Sequence, residues 1–477
     1  LPAAPGQACV APPASFPSRR LKPPGNRSFS LVMVMFMAAL AAPAAPRGGS
    51  PSGRPNLVVL VSDDHRPDAL GALNRQLRTP NLDRLVMAGV LFRGAHIPGS
   101  DHVAVCIPSR AMLLSGRSLF RVGHDLAGVE TWPEALRAAG YQTLATGKWH
   151  NGAEACGRIF PGARNVFLGG MTDQFRVTVR DFDAQGRPGE PRVVERHATE
   201  LFTDTAFELL RDRDPQRPFA LYVAYTAPHD PRAAPPEYHA RYDPRWMTLP
   251  QNFLPEHPFD NGELAVRDER LLPVPRGNEA VRREIADYYA MITHLDAQVG
   301  RLLDALNRAG LAENTVVVFA GDNGLALGSH GLLGKQNLYQ HSVGVPLIIA
   351  GARFKGPRAE AALCYLHDLA PTLCELAGVR PPEGMEGRSL VPILEGRARG
   401  LRSELFFAYR DVQRAWRDDR WKLIHYPVIG RTQLFDLKAD PGEIEDLAAE
   451  PRHSARVARL MRNLQAAQRA AGDTLTW

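Results

Sequence analysis

At 477 residues the chain can hold a large domain plus a smaller one, and 44% hydrophobic with 23% charged residues is an ordinary globular composition. The absence of repeats and of long low-complexity tracts excludes a solenoid, fibrous or disordered chain. The net charge of +6 comes entirely from residues 1–54, which hold Arg19, Arg20, Lys22, Arg27, Arg47 and Arg54 and no acid, so the rest is balanced and gives no charge argument for nucleic acid.

Residues 1–45 read as a secretory leader: basic residues, the apolar run Leu31 to Leu40, then small residues Ala41 to Ala45. Cleavage near Ala44 is expected, which places the protein in the periplasm or outside the cell. The run is short for a membrane span, so membrane contact is expected only through the leader. The five cysteines are Cys9, Cys106, Cys156, Cys364 and Cys374. If Cys9 leaves with the leader and Cys106 is modified, an odd number remains, which does not suit a disulfide-stapled domain.

Asn56–Val61 is a continuous apolar run, the pattern of a strand covered on both faces of a parallel sheet. Thr79–Gly89 and Thr131–Ala139 read as helices, and Gln142–Thr146 and Phe219–Tyr225 as strands. Asn278–Arg308 carries apolar residues at helical spacing, and Thr315–Ala320 and Val345–Ala350 are again buried strands. Strands alternating with helices predict a large α/β/α sandwich with a mixed, mostly parallel sheet. Near residue 400 the pattern changes to short strands at Leu405–Tyr409, Ala415–Trp416, Trp421–Tyr426 and Gln433–Leu437, with a closing helix at Ala455–Ala471. The expected organisation is a catalytic domain at 54–399 and a small C-terminal α+β subdomain with an antiparallel sheet at 400–477. Pro228–Pro275 is a long proline-rich connection, and connections of that length are often functional.

Asp63-Asp64 follows the first apolar strand, and Asp322-Asn323 follows the Thr315–Ala320 strand. Sites in α/β sheets form at the carboxyl ends of strands. Two oxygen-rich pairs at two strand ends predict a hard-cation site, Ca²⁺ first and Mg²⁺ second. Cys106 is followed by Pro108, Arg110 and Leu114-Ser115-Gly116-Arg117. Pro108 suits a first helical turn and Gly116 a helix end, which puts Cys106 at a helix N-terminus with Arg110 one turn along the same face. The bland alternative is a buried, inert cysteine beside a surface arginine.

This stretch resembles the sulfatase signature, in which a maturation enzyme oxidises the cysteine to formylglycine. Further motifs follow in that family's order: Asp63-Asp64, Gly147-Lys148-Trp149-His150, Ala227-Pro228-His229, Asp322-Asn323-Gly324, Lys335, and the closing Leu434-Phe435-Asp436-Leu437 and Asp440-Pro441-Gly442-Glu443. Ile107 stands where the family usually has a smaller or hydroxylated residue. The resemblance implies a formylglycine-dependent sulfatase of the alkaline phosphatase superfamily. It implies a metal held by Asp63, Asp64, Asp322, Asn323 and the modified Cys106. It implies catalytic roles for Cys106, Arg110, Lys148, His150, His229 and Lys335, with His229 protonating the leaving alcohol and His150 taking a proton from the formylglycine hydrate. The expected substrate is a sulfated carbohydrate or another small sulfate ester. The alternatives are an aryl- or choline-sulfatase, a phosphonate monoester or phosphodiester hydrolase, and an inactive protein that binds sulfated glycans. His65, His102, His124 and His341 read as structural or exposed, with lining of the substrate pocket as the alternative; His294 and Asp296 read as structural residues of the long helix, and Asp230-Pro231-Arg232 as a candidate substrate contact.

Overall fold

The computed structural model describes residues 53–354 and 356–477, so the leader lies outside the described residues. Eight strands form the main sheet, in the order Arg358–Glu360, Gly89–Phe92, Leu347–Ala350, Thr315–Gly321, Asn56–Ser62, Phe219–Ala224, Gln142–Lys148, Val166–Phe167. Seven strands run one way, and Leu347–Ala350 runs against both its neighbours. The mixed, mostly parallel sheet is therefore as expected.

The central strand Asn56–Ser62 is buried throughout, which explains its uninterrupted apolar run. Successive residues point to opposite faces. Leu57, Val59 and Val61 join one core with Leu113, Leu136 and Leu373, while Val58 and Leu60 join a second with Leu82, Ile292 and Leu295. The first core is covered by the helices Cys106–Ser115, Trp132–Ala138 and Leu369–Leu376, and the second by Pro80–Ala88, Ala198–Asp212 and Asn278–Arg308.

Local signals place these helices. Thr131 and Glu134 form a reciprocal capping box at the start of Trp132–Ala138. Gly116, at φ +65°, ends the Cys106 helix, and its N–H donates to the Met112 carbonyl at 2.8 Å. Gly89 is extended rather than left-handed: it closes the Pro80–Ala88 helix and opens the next strand. Cys374 lies within the Leu369–Leu376 helix, whereas Cys364 sits in a two-residue strand; neither forms a disulfide, nor do Cys106 and Cys156.

A second sheet has the order Arg431–Asp436, Trp421–Tyr426, Gln413–Arg417, Leu405–Tyr409, Gly99–Ser100. Its four C-terminal strands are antiparallel, and the helix Ser454–Ala471 covers it with Leu460 and Leu464 against Trp416, Leu423 and Leu434. The fifth strand is borrowed from the N-terminal half, with Gly99 and Ser100 paired in parallel to Ala408 and Tyr409. Among the described residues no helix is long and apolar enough to cross a membrane.

Candidate active site

Four adjacent parallel strands deliver their carboxyl ends to one place. Ser62 leads into Asp63-Asp64, Gly321 into Asp322-Asn323, Ala224 into the Thr226–His229 turn, and Lys148 into His150. The Cys106–Ser115 helix is buried almost along its whole length, with Cys106 at its first position facing this cluster. Asp63, Asp64, Cys106, Arg110, Lys148, Asp322, Asn323 and Lys335 are each no more than 4% exposed.

The sulfur of Cys106 lies 3.2 Å from Nδ1 of His150 and 3.7 Å from Nζ of Lys148. Lys148 and His150 reach it differently from the simple extended spacing. Lys148 ends its strand, and His150 takes a left-handed φ of +69° that turns its ring back. Gly147 allows that strand to crowd its neighbour, since a Cβ there would collide with the carbonyl of Ala224. Arg110 donates from Nε to Asp322 Oδ2 at 3.0 Å and from Nη1 to the Lys148 carbonyl at 3.0 Å, and its Nη2 lies 3.6 Å from Asp63.

Lys148 is paired with Asp63, and Lys335 Nζ donates to Asp64 Oδ1 at 2.6 Å. Asn323 Nδ2 donates to the same Asp64 oxygen at 2.8 Å. Asp64 holds a left-handed φ of +58°, and its backbone N–H donates to Asp322 Oδ1 at 3.1 Å. His229 Nδ1 lies 2.7 Å from the Asp230 carbonyl, so it carries the proton there, and Nε2 lies 3.6 Å from Asp64.

The electrostatics follow from burial and pairing. Burial pushes the Asp63 carboxyl up, but Lys148, His229, Arg110 and Lys335 together hold it below the usual range. Asp64 is likewise held low, by Lys335 and His229 against burial. Asp322 is pushed up to about 7 by burial and by Asp63, against Arg110. Burial pushes the Cys106 thiol up in spite of Lys148 and Lys335, so the encoded group is a neutral thiol and not a thiolate. His150 is pushed down to about 3 by burial and Lys148, which leaves its ring neutral.

The residues fit a hard cation. Ligand atoms of Asp63, Cys106 and Asp322 lie within 4.8 Å of one another, as do those of Asp63, Asp64 and His229. Asp63 Oδ1 and Asn323 Oδ1 are buried without a hydrogen-bond partner. Such orphans cost about 1–3 kcal/mol each unless something fills them. The donor set is oxygen-rich, which suits calcium or magnesium.

Other residues fall outside the cluster. His65 is bonded to Ser62 Oγ and the Ala69 carbonyl, and His341 packs on Tyr339. Asp296 accepts from the backbone of Asn81 and Leu82, and His294 packs against His197. His102 and His124 pack on each other, with His124 paired to Asp101. Arg232, read as a substrate contact, is paired with Glu284 of the long helix and its side chain is 6% exposed; Asp230 is paired with Arg267. Gln174, which the sequence motifs do not mark, is 1% exposed and bonded to the His229 turn. No local motif marks it, because its partners lie 52 and 55 positions away.

A family model described as Sulfatase matches residues 55–379, and one described as N-sulphoglucosamine sulphohydrolase, C-terminal, matches residues 328–470. The chain is 27% identical to an N-acetylglucosamine-6-O-sulfatase of Bacteroides thetaiotaomicron, over 93% of this chain and 91% of that protein. It is 29% identical to a multifunctional alkaline phosphatase superfamily protein of Trinickia caryophylli, over 85% of this chain and 93% of that one. A solved structure of a protein in complex with its substrate D-glucosamine-2-N,6-O-disulfate shares the fold with a TM-score of 0.75 at 24% identity, covering 88% of this chain and 99% of that one. With the family model covering most of the chain, this protein belongs to the sulfatase family of the alkaline phosphatase superfamily and is a hydrolase of sulfate esters.

Proposed function

We propose that the protein removes sulfate from a sulfated carbohydrate at the Cys106 site, with Cys106 converted to formylglycine by a maturation enzyme and a calcium ion held by Asp63, Asp64, Asp322, Asn323 and the modified Cys106. The observation that carries this reading is the convergence of Cys106, three carboxylates, Arg110, Lys148 and Lys335 in one buried cluster at four strand ends. The carbohydrate is supported by the relative named for N-acetylglucosamine 6-O-sulfate.

The three acids are already balanced by Arg110, Lys148 and Lys335. When bound, a divalent cation gives the site a net positive charge and polarises the sulfate, and formylglycine hydrate supplies a hydroxyl nucleophile on a carbon that can re-form an aldehyde. Arg110, permanently charged and planar, holds its place by spanning Asp322 and Asp63. Lys148 and Lys335 bring compact charges to the sulfate oxygens. His150, 3.2 Å from the Cys106 side-chain position, accepts a proton from a group carried there. His229, with its Nδ1 proton committed to the Asp230 carbonyl, uses Nε2 to pass a proton to the leaving alcohol. Residues 54–399 form the catalytic domain and 400–477 the subdomain that closes it. Residues 1–45, as an export leader, direct the protein to the periplasm or the medium.

The test combines mass and turnover. Protein made with a maturation enzyme should yield a tryptic peptide Gly94–Arg110 about 18 Da lighter than encoded, as expected for a thiol replaced by an aldehyde. The same protein with Ca²⁺ should release sulfate from sulfated saccharides. A second reading, phosphonate monoester or phosphodiester hydrolysis, draws support from the multifunctional superfamily relative. Turnover of those esters without sulfate release from any sugar would favour it. An unmodified thiol with glycan binding and no turnover would indicate a binding protein.

A further inference from the structure

The side chain of Gln174 clasps the turn that carries His229. Its Oε1 accepts from the hydroxyl of Thr226 at 2.8 Å, and its Nε2 donates to the His229 carbonyl at 3.2 Å. The turn is closed from within by the His229 N–H, which donates to the Thr226 carbonyl at 3.0 Å. Gln174 thus grips both ends of one turn. It is itself anchored, because its carbonyl accepts from the Ala198 N–H at 2.7 Å at the start of the Ala198–Asp212 helix. A buried amide is costly unless its ends are matched, and here both are. The same segment also meets the other histidine: a Cβ on Gly170 would lie 2.7 Å from Cε1 of the His150 ring. Residues 170–174 therefore connect the groups placed at the two ends of proton transfer.

We propose that Gln174 is a positioning residue that sets where His229 presents its proton to the leaving alcohol. It touches no reacting atom and acts through the His229 backbone. The proposal rests on the reading of His229 as the acid. Positioning errors of 1 Å can cost on the order of 10²-fold in rate.

The test is steady-state kinetics on a series of sulfate esters from alkyl to aryl leaving groups. For Gln174→Ala we expect kcat to fall roughly tenfold to 10²-fold on alkyl esters, which need protonation, and less than about threefold on good aryl leaving groups, with KM little changed. Thr226→Val, which releases the other end of the clasp, should show the same selectivity and serves if Gln174→Ala does not fold. In His229→Ala the further change to Gln174→Ala should add no selective loss. Equal losses across the series in both clasp variants, or a rise in KM with kcat kept, would overturn the proposal. If His229→Ala is itself unselective, the acid assignment fails and the proposal with it. If His229→Ala is selective and the clasp variants are not, only the role of Gln174 fails.

Discussion

Removing one sulfur atom changes the chemistry at the centre of the site with little change in packing. Cys106 is 1% exposed and contributes a small side chain to the start of its helix. Cys106→Ala should abolish sulfate-ester hydrolysis while the thermal midpoint moves little; activity at the parent level would sink the nucleophile assignment. Arg110→Lys keeps the charge but cannot span Asp322 and Asp63 with one planar group. It should lose roughly 10²–10³-fold in kcat, the scale of one charge-stabilising donor, and circular dichroism should confirm that the fold survives. Asp63, Asp64, Asp322 and Asn323 were legible in the sequence because each follows an apolar run that had to be a buried strand. The left-handed turn at His150 was not legible, since a spacing of two residues says nothing of φ. Gln174 was not legible either, because what gives it meaning is a contact made only in the folded chain.

Helix ends are stabilised by tertiary contacts as well as by local caps. Thr79 makes no side-chain cap for the Pro80–Ala88 helix. Asp296, on the long helix, fills the role by accepting from the N–H groups of Asn81 at 3.0 Å and Leu82 at 2.7 Å. Burial pushes its carboxyl up to about 6 from the ordinary 3.8, with Asp83 adding to the shift and the Asn81 and Leu82 bonds opposing it. The folded state therefore binds this proton more tightly than the unfolded state. The resulting stabilisation is complete below the ordinary value and is lost as pH rises through about 6. Asp296→Asn does not titrate, so the urea midpoint of the parent should fall relative to that variant between pH 4 and pH 6. A constant difference across this window would count against the shift. At this scale the helices and strands of the sandwich were readable from periodicity. The reversed direction of Leu347–Ala350 was not, because a buried apolar run looks the same either way along the chain. The Gly99–Ser100 strand was not readable either: two residues carry no period, and their pairing comes from residues 408 and 409.

Across the whole molecule, the candidate cation site joins the ends of the central strands to the Cys106 helix, so an ion bound there should stabilise the fold as a unit. Calcium at 100 times its dissociation constant should add about 2.7 kcal/mol, read as a rise in thermal midpoint that a chelator reverses. Asp322→Asn should weaken that response; an unchanged response would place the ion elsewhere. The borrowed strand has a consequence for timing. Gly99–Ser100 stands six residues before Cys106 and cannot find its partners until residues 408 and 409 have left the ribosome. In the folded chain Cys106 is 1% exposed. An enzyme that oxidises this cysteine would therefore have to reach it before the chain has folded around it.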